Sequence, residues 1–283
     1  MQLCVNPFFH QATNTITHVV RALEKPAAVI IGSVLDFDAK LGRIGTEAAD
    51  TIIDFVRQND LSVEWILETH VHADHLTAAP YLKEKLGGQI GVGTGIIVVQ
   101  EGFSKIFNTG SKFTSDGSQF DRLFADGEHL VLGPMTIEVL HTLGHTPACV
   151  TYVIGDAAFV GDTIFMPDFG TARTDFPGGD AAALYRSINR ILSLPADARL
   201  HDYGPGGREY KWETTVAEER AQNVHIRDGI SEEQFIKTRT ERDGELSMPA
   251  LLLPSVQVNK RVLKFPPVED NGVSYLKCPL DTL

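Results

Sequence analysis

The stretch Thr69-His70-Val71-His72-Ala73-Asp74-His75 places three imidazoles and a carboxylate within six residues. It directly follows Ser62–Glu68 (SVEWILE), a run that predicts a β-strand. Three histidines crowded at a strand end would each need a polar partner if they belonged to the core. Neutral imidazole is the commonest metal ligand, and carboxylate complements it for zinc or iron. The stretch therefore predicts a metal site, because ten histidines in 283 residues rarely produce such a cluster by chance.

Three later residues extend this prediction. His145 lies in His141-Thr-Leu-Gly-His145-Thr, Asp162 in Val160-Gly-Asp162-Thr, and His201 in His201-Asp-Tyr203. Each comes just after a short predicted strand, where ligand-bearing loops collect. Taken alone, such a residue is more often solvated or a helix cap. Together with the first cluster, all three become candidate ligands.

Composition limits the class of partner. The chain has 25 basic and 37 acidic residues, a formal net charge of −12, and no long basic cluster. This predicts that the protein binds neither nucleic acid nor an anionic membrane. No run approaches the length of a membrane span, and the N-terminus does not resemble a signal peptide. Three cysteines without a CxxC pair argue against a disulfide scaffold or zinc ribbon, so we expect a cytoplasmic protein.

Short strands alternate with helices along the chain. The predicted helices are Thr46–Gln58, Thr77–Leu86, Ile96–Phe107, Ala181–Leu192, Thr214–His225 and Glu232–Thr240. The predicted strands are Ala27–Val34, Ser62–Glu68, Gln89–Val92, Glu128–Leu132, Met135–Leu140, Cys149–Ile154 and Ala157–Gly161. This mixture indicates an α/β protein with two sheets and helices packed outside them.

In their order along the chain, the motifs THVHADH, HTLGHT, GDT and HDY resemble those of the metallo-β-lactamase fold superfamily. The resemblance covers nearly the whole chain. It implies an αββα sandwich with the metal site at the edge between two mixed sheets. On this basis residues 1–283 form a single domain, with a C-terminal tail from about 245 to 283 that packs on it.

Further segments resemble the glutathione persulfide dioxygenase (sulfur dioxygenase) branch of that superfamily. They are residues 144–152, residues 172–176, His201-Asp202-Tyr203, the helix segment 217–220 and residues 249–259. The resemblance implies one Fe(II) per chain, held by His70, His145 and Asp162. It places His72, Asp74, His75 and His201 around the iron without binding it.

The branch implies a reaction in sulfide detoxification. Glutathione persulfide is oxidised with O₂ and water to sulfite and glutathione, and a homodimer is a family-level expectation. A two-His-one-carboxylate set leaves positions open on an octahedral iron, where sulfur and O₂ can bind. Asp74 and Tyr203 are candidates for orienting ligands or substrate.

Substrate-binding candidates come from the same resemblance. Arg173 is interpreted either as an anchor for a glutathione carboxylate or as a structural ion pair with Asp175. Lys211 is a weaker candidate of the same kind. Cys149 is predicted to pack in the core, since nothing in the sequence favours its thiolate.

Two alternatives stay open. A thioester hydrolase of the hydroxyacylglutathione hydrolase type would use the same side chains for one or two zinc ions, with Asp162 bridging and His72, Asp74, His75 and His201 as second-metal ligands. A non-catalytic metal-dependent sensor is the other. The chain also departs from the branch in three places. Gly32-Ser33 replaces an Asp-Pro pair behind the metal loop (residues 69–77), Gly93-Thr94-Gly95-Ile96 replaces a segment that usually carries acidic and His residues at a helix start, and the strand before His201 is short.

Overall fold

Two mixed β-sheets of six strands each form the centre of the protein. The computed structural model describes residues 2–110, 113–201, 210–262 and 265–282. The first sheet contains, in spatial order, β1 (Leu3–His10), β2 (Thr15–Ala22), β3 (Ala27–Ile31), β6 (Ser62–Leu67), β7 (Gln89–Gly93) and β8 (Arg122–Phe124). The second contains β14 (Glu213–Thr215), β13 (Arg199–His201), β12 (Ala157–Phe159), β11 (Val150–Ile154), β10 (Met135–His141) and β9 (His129–Leu132). A separate pair is formed by β4 (Asp36–Asp38) and β5 (Arg43–Gly45).

Seven helices accompany these strands in the described part of the chain. They are α1 (Glu47–Gln58), α2 (Ala79–Leu86), α3 (Ile96–Ile106), α4 (Ala181–Ile191), α5 (Val216–Gln222), α6 (Glu232–Asp243) and α7 (Leu252–Asn259). None of them has the length and apolar character that crossing a membrane requires.

Three apolar clusters define the layers. The cluster between the sheets includes Val29, Ile31, Leu67, Ile137, Val139 and Phe159. Outside the first sheet, Ile52, Leu82, Val99 and Val256 pack α1, α2, α3 and α7 against it. Outside the second sheet, Leu184, Ile188 and Phe235 do the same for α4 and α6. The αββα prediction is therefore confirmed.

The strand order brings the chemical motifs to one edge. Strands β3, β6, β7 and β8 run parallel, as do β12 and β13, so loops after these strands emerge together. The Val150 amide donates to the Thr69 carbonyl at 2.9 Å and ties the two sheets at this edge. The loop carrying His145 follows β10, which runs in the same direction as β12 because both pair antiparallel with β11. The loops carrying His70, His145 and Asp162 therefore converge.

Helix α1 shows how the pattern determines packing. Ala49, Ile52, Ile53 and Val56 are all buried, as their spacing predicts. Two other predictions need correction. Leu3–His10 and Thr15–Ala22 form β1 and β2, which the sequence analysis did not predict. Thr214 lies in the short strand β14, so that the predicted helix begins only at Val216.

Candidate metal centre

Three side chains from three different loops meet at the edge of the sandwich. The Nε2 atoms of His70 and His145 lie 3.7 and 3.5 Å from one carboxylate oxygen, Oδ2 of Asp162. One ligand atom from each residue fits within 4.8 Å of the others, a spacing suited to a single metal ion. We call His70, His145 and Asp162 the triad group.

The protonation and hydrogen bonding of His70 in the triad group suit a metal ligand. His70 is buried, and its Nε2 has no hydrogen-bond partner among the described residues. Burial, followed by the neighbouring imidazoles, holds the pKa of His70 well below its ordinary value. His70 is therefore neutral and offers a lone pair. A buried orphan nitrogen beside a carboxylate fits a bound cation.

Backbone and hydroxyl groups orient the two imidazoles. His145 donates from Nδ1 to the carbonyl of Arg173 at 2.8 Å, which leaves Nε2 as the free ligand nitrogen. His70 Nδ1 lies 3.0 Å from the hydroxyl oxygen of Thr69. Gly161, with φ of +51°, allows the loop to approach closely, because a Cβ there would lie 2.5 Å from Thr69 Oγ1.

His72, Asp74 and His75 form a second set, which we call the loop group. Their ligand atoms also lie within 4.8 Å of one another. Asp74 Oδ1 accepts from His75 Nδ1 at 3.3 Å, and the charge and hydrogen bond of His75 lower the pKa of Asp74 although burial opposes this. His72 Nδ1 and His75 Nε2 are buried without hydrogen-bond partners among the described residues.

A buried carboxylate supports the loop group. Glu68 Oε2 accepts from His72 Nε2 at 3.0 Å, and its Oε1 accepts from Ser33 Oγ at 3.3 Å and from Thr77 Oγ1 at 2.5 Å. Burial lowers the pKa of His72, but the hydrogen bond and charge of Glu68 outweigh it, so the pKa rises. Ser33 of the Gly32-Ser33 pair thus contacts the same carboxylate that accepts from His72.

His201 belongs to neither group. It ends β13, and its ring stacks on Phe159 with centroids 4.9 Å apart and planes 14° apart. Its Nε2 lies 3.5 Å from Glu213 Oε2, and burial lowers its pKa to about 4. A cavity of about 30 Å³ adjoins both His201 and His72. Tyr203, the other candidate in that motif, lies outside the described residues.

The substrate-binding candidates have other partners. Arg173 donates from Nε and an Nη to the two Asp175 oxygens at 2.6 and 2.7 Å and from its other Nη to the carbonyl of Ser247 at 2.8 Å. These contacts favour the structural alternative for Arg173. Lys211 lines a separate cavity beside Asp168 and Glu213.

Cys149 occupies an interior position. Its side chain is buried, it accepts from the Thr146 amide at 3.3 Å, and burial raises its pKa to about 12. A thiol in this state is not a nucleophile near neutral pH, which agrees with the packing role.

Sequence reasoning missed two residues of this site. Glu68 ends the stretch that was predicted as a strand, so its carboxylate was not separated from the strand pattern. Asn259 lies in the C-terminal tail and hydrogen-bonds to the metal loop from there. A glutamate directly before the motif was a usable signal, whereas nothing in the sequence indicates the contact of Asn259.

The fold and the triad group together define an αββα protein with a histidine- and carboxylate-rich candidate metal centre. A model of the metallo-beta-lactamase superfamily matches residues 27–201. The chain belongs to this superfamily.

Its curated relatives carry names of different kinds. The chain is 53% identical to a "Probable metallo-hydrolase" of Burkholderia pseudomallei, over 99% of this chain and 100% of that one. It is 47% identical to Glyoxylase B2 of Dictyostelium discoideum, over 99% and 97%. It is 29% identical to the persulfide dioxygenase ETHE1 of Homo sapiens, over 87% and 83%.

A solved structure supports the last of these similarities. The crystal structure of ETHE1 from Myxococcus xanthus superposes with a TM-score of 0.73 at 27% identity, covering 92% of this chain and 99% of that one. The predicted superfamily is confirmed, and the chain is similar to persulfide dioxygenases.

Proposed function

We propose that the protein is a cytoplasmic mononuclear Fe(II) persulfide dioxygenase. Glutathione persulfide, O₂ and water give glutathione and sulfite: the S–S bond breaks, the terminal sulfur gains three oxygens, and two protons are released. The observation that carries the proposal is the triad group: two imidazoles and one carboxylate around one point. This ligand set is typical of non-haem iron oxygenases.

His70, His145 and Asp162 would hold the metal. Iron supplies the redox chemistry of the reaction when bound. The chain contributes orientation: the Arg173 carbonyl fixes the tautomer of His145, and Thr69 lies beside Nδ1 of His70. Three protein ligands among the described residues meet at this point, and a metal held by three ligands would leave room for a substrate sulfur and for O₂.

The loop group would act beside the metal. Asp74 and His75 form a hydrogen-bonded pair next to the triad group and can orient the persulfide or a water molecule. Tyr203 is proposed for the same task by its place in the motif. Arg173, Asp175 and Lys211 remain proposed contacts of the glutathione part, with the Arg173–Asp175 pair also acting as a tether of its loop.

A binuclear hydrolase is the second candidate. The orphan nitrogens of His72 and His75 in the loop group, and the names of the two most identical relatives given above, favour it. The position of His201 argues against it, because that ring stacks on Phe159 outside the loop group. A second metal at the loop group would therefore be held by His72, Asp74 and His75 alone, all from one short loop.

Oxygen uptake by the iron-loaded protein tests the proposal. Protein loaded anaerobically with Fe(II) is given glutathione persulfide, and O₂ consumption is compared with sulfite formation. We expect a ratio of one, loss of activity in Asp162→Ala, and retention in the matched surface variant Asp156→Ala, whose carboxylate pairs with Arg199. Rapid cleavage of S-lactoylglutathione by a two-zinc form, without O₂ uptake, would overturn the proposal.

A further inference from the structure

A single amide side chain joins the C-terminal tail to the metal loop. Asn259, the last residue of α7, is buried, and its Nδ2 donates to the carbonyls of His72 and His75 at 2.9 and 2.8 Å. Its Oδ1 accepts from the Thr77 amide at 2.9 Å. Both amide hydrogens and the amide oxygen are therefore engaged with one loop.

The contacted groups determine the shape of that loop. His72 and His75 carry two of the three side chains of the loop group, and Thr77 begins the turn into α2. Buried backbone carbonyls need partners, and an irregular loop cannot supply them as a helix or sheet does. Asn259 therefore fixes the path of the backbone from which His72, Asp74 and His75 project.

Asn259 is itself held firmly. Val256 and Val258 of α7 are buried in the apolar cluster outside the first sheet. The next carbonyl, that of Lys260, accepts from Gln100 Nε2 of α3 at 2.9 Å. The side-chain amide of Asn259 thus links the metal loop to the packed helices α3 and α7.

We propose that Asn259 is a positioning residue that sets the arrangement of the loop group beside the metal. It acts through the backbone carbonyls of His72 and His75 and contacts neither metal nor substrate. The expected effect on turnover rests on the proposed dioxygenase function, whereas the effect on the geometry of the loop group does not.

The test compares two buried polar residues of the same helix. Asn259→Ala removes the three hydrogen bonds to the metal loop. Gln257→Ala is the matched control: Gln257 is also buried and makes three hydrogen bonds, to Leu253 and to both backbone groups of Lys277, none of them to the metal loop. Both variants should lose comparable thermal stability, so stability alone does not separate them.

Two readouts separate positioning from stability. In the Co(II)-loaded protein, Asn259→Ala should shift the ring N–H resonances of His72 and His75, and Gln257→Ala should leave them in place. In the Fe(II)-loaded protein, kcat of Asn259→Ala should fall about tenfold or more, the scale of outer-partner mutations at metal sites, with KM little changed. Iron content should stay at one per chain.

Asn259→Ser introduces a hydroxyl that can donate one hydrogen bond, and this variant is used if Asn259→Ala does not fold. Its shifts of the His72 and His75 ring N–H resonances should be intermediate. The inference is overturned if Asn259→Ala, or Asn259→Ser in its place, matches Gln257→Ala in both resonances and kcat. Shifted resonances in a protein without O₂ uptake would support the positioning role and count against the dioxygenase only.

Discussion

The triad group and the loop group start from the same heptapeptide but are built differently. The triad group takes one residue from the heptapeptide and two from loops about 75 and 92 residues further along the chain. The loop group takes all its members from four consecutive residues. In the loop group Asp74 is already paired with His75, and Glu68 with His72. Convergence from distant strands, rather than crowding in the sequence, produces the candidate iron site.

The largest effect should follow from breaking the triad group. Asp162→Ala removes its only carboxylate, and two imidazoles alone should retain little iron. We expect loss of most metal and a fall in activity of more than about a hundredfold, beyond the 10–100-fold typical of outer partners. Metal analysis together with O₂ uptake measures both, and full iron with full activity in this variant would show the ligand assignment to be wrong.

Breaking the loop group should have a smaller effect. Asp74→Ala removes the carboxylate that lies 3.3 Å from His75 Nδ1 but leaves all three triad ligands in place. One iron per chain should remain, while activity falls by about 10–100-fold. Metal content determined beside Asp162→Ala checks this. Loss of one of two bound metal ions would instead support the binuclear hydrolase.

Substitution of Glu68, whose carboxylate supports the loop group, should affect stability rather than iron binding. Glu68→Gln replaces one carboxylate oxygen with an amide nitrogen that cannot accept, so either His72 Nε2 or the hydroxyls of Ser33 and Thr77 lose their acceptor. A buried unsatisfied polar group costs about 1–3 kcal/mol, so the free energy of unfolding should fall by that amount while iron is retained. Urea denaturation of the metal-free proteins measures it. An unchanged free energy would mean that Glu68 does not support the loop.

The sequence was most informative where neighbouring residues carry the signal. The spacing of Ala49, Ile52, Ile53 and Val56 predicted the buried face of α1, and the heptapeptide with its later motifs indicated the superfamily. The strand β2 was missed because it is buried at nearly every position, including His18 and Thr17, and shows no sustained alternation of polar and apolar residues.

The supports of the site were beyond sequence reasoning for another reason. Asn259 lies more than 180 residues from the carbonyls it binds, and only packing of α7 against the first sheet brings it there. The position of His201 beside Phe159 likewise depends on the parallel pairing of β12 and β13. Local pattern contains no information on such contacts.

Arg173 supports the triad group, and its tether and anchor roles predict different results. Its carbonyl orients His145, and its side chain ties the loop to Asp175 and Ser247. If this tether is its role, Arg173→Ala and Asp175→Ala should both melt a few degrees lower, at about 2–4 °C per kcal/mol, with KM for the persulfide unchanged. Melting curves and kinetics of both variants check this. A KM raised about ten- to hundredfold in Arg173→Ala alone would establish the anchor role instead.

Glu219 lies outside both groups, so its substitution should change stability without changing metal binding. Burial raises its pKa to about 8, so the folded protein holds a proton there that the unfolded chain releases near its ordinary pKa. Stability should therefore fall as the pH rises from about 5 to 8. Glu219→Gln should melt several degrees higher than the wild type at pH 8, by about 2–4 °C for each kcal/mol gained, should equal it at pH 5, and should bind the same iron. A variant with the wild-type pH profile would contradict this.

An anomalous-diffraction map recorded at the X-ray absorption edge of iron tests most directly the central claim, that the triad group holds a single iron. Crystals of protein loaded anaerobically with Fe(II) should show one peak per chain, within coordination distance of His70 Nε2, His145 Nε2 and Asp162 Oδ2. The loop group should show no peak. A second peak of similar height beside His72 and His75, or a single peak there with none at the triad group, would contradict the account.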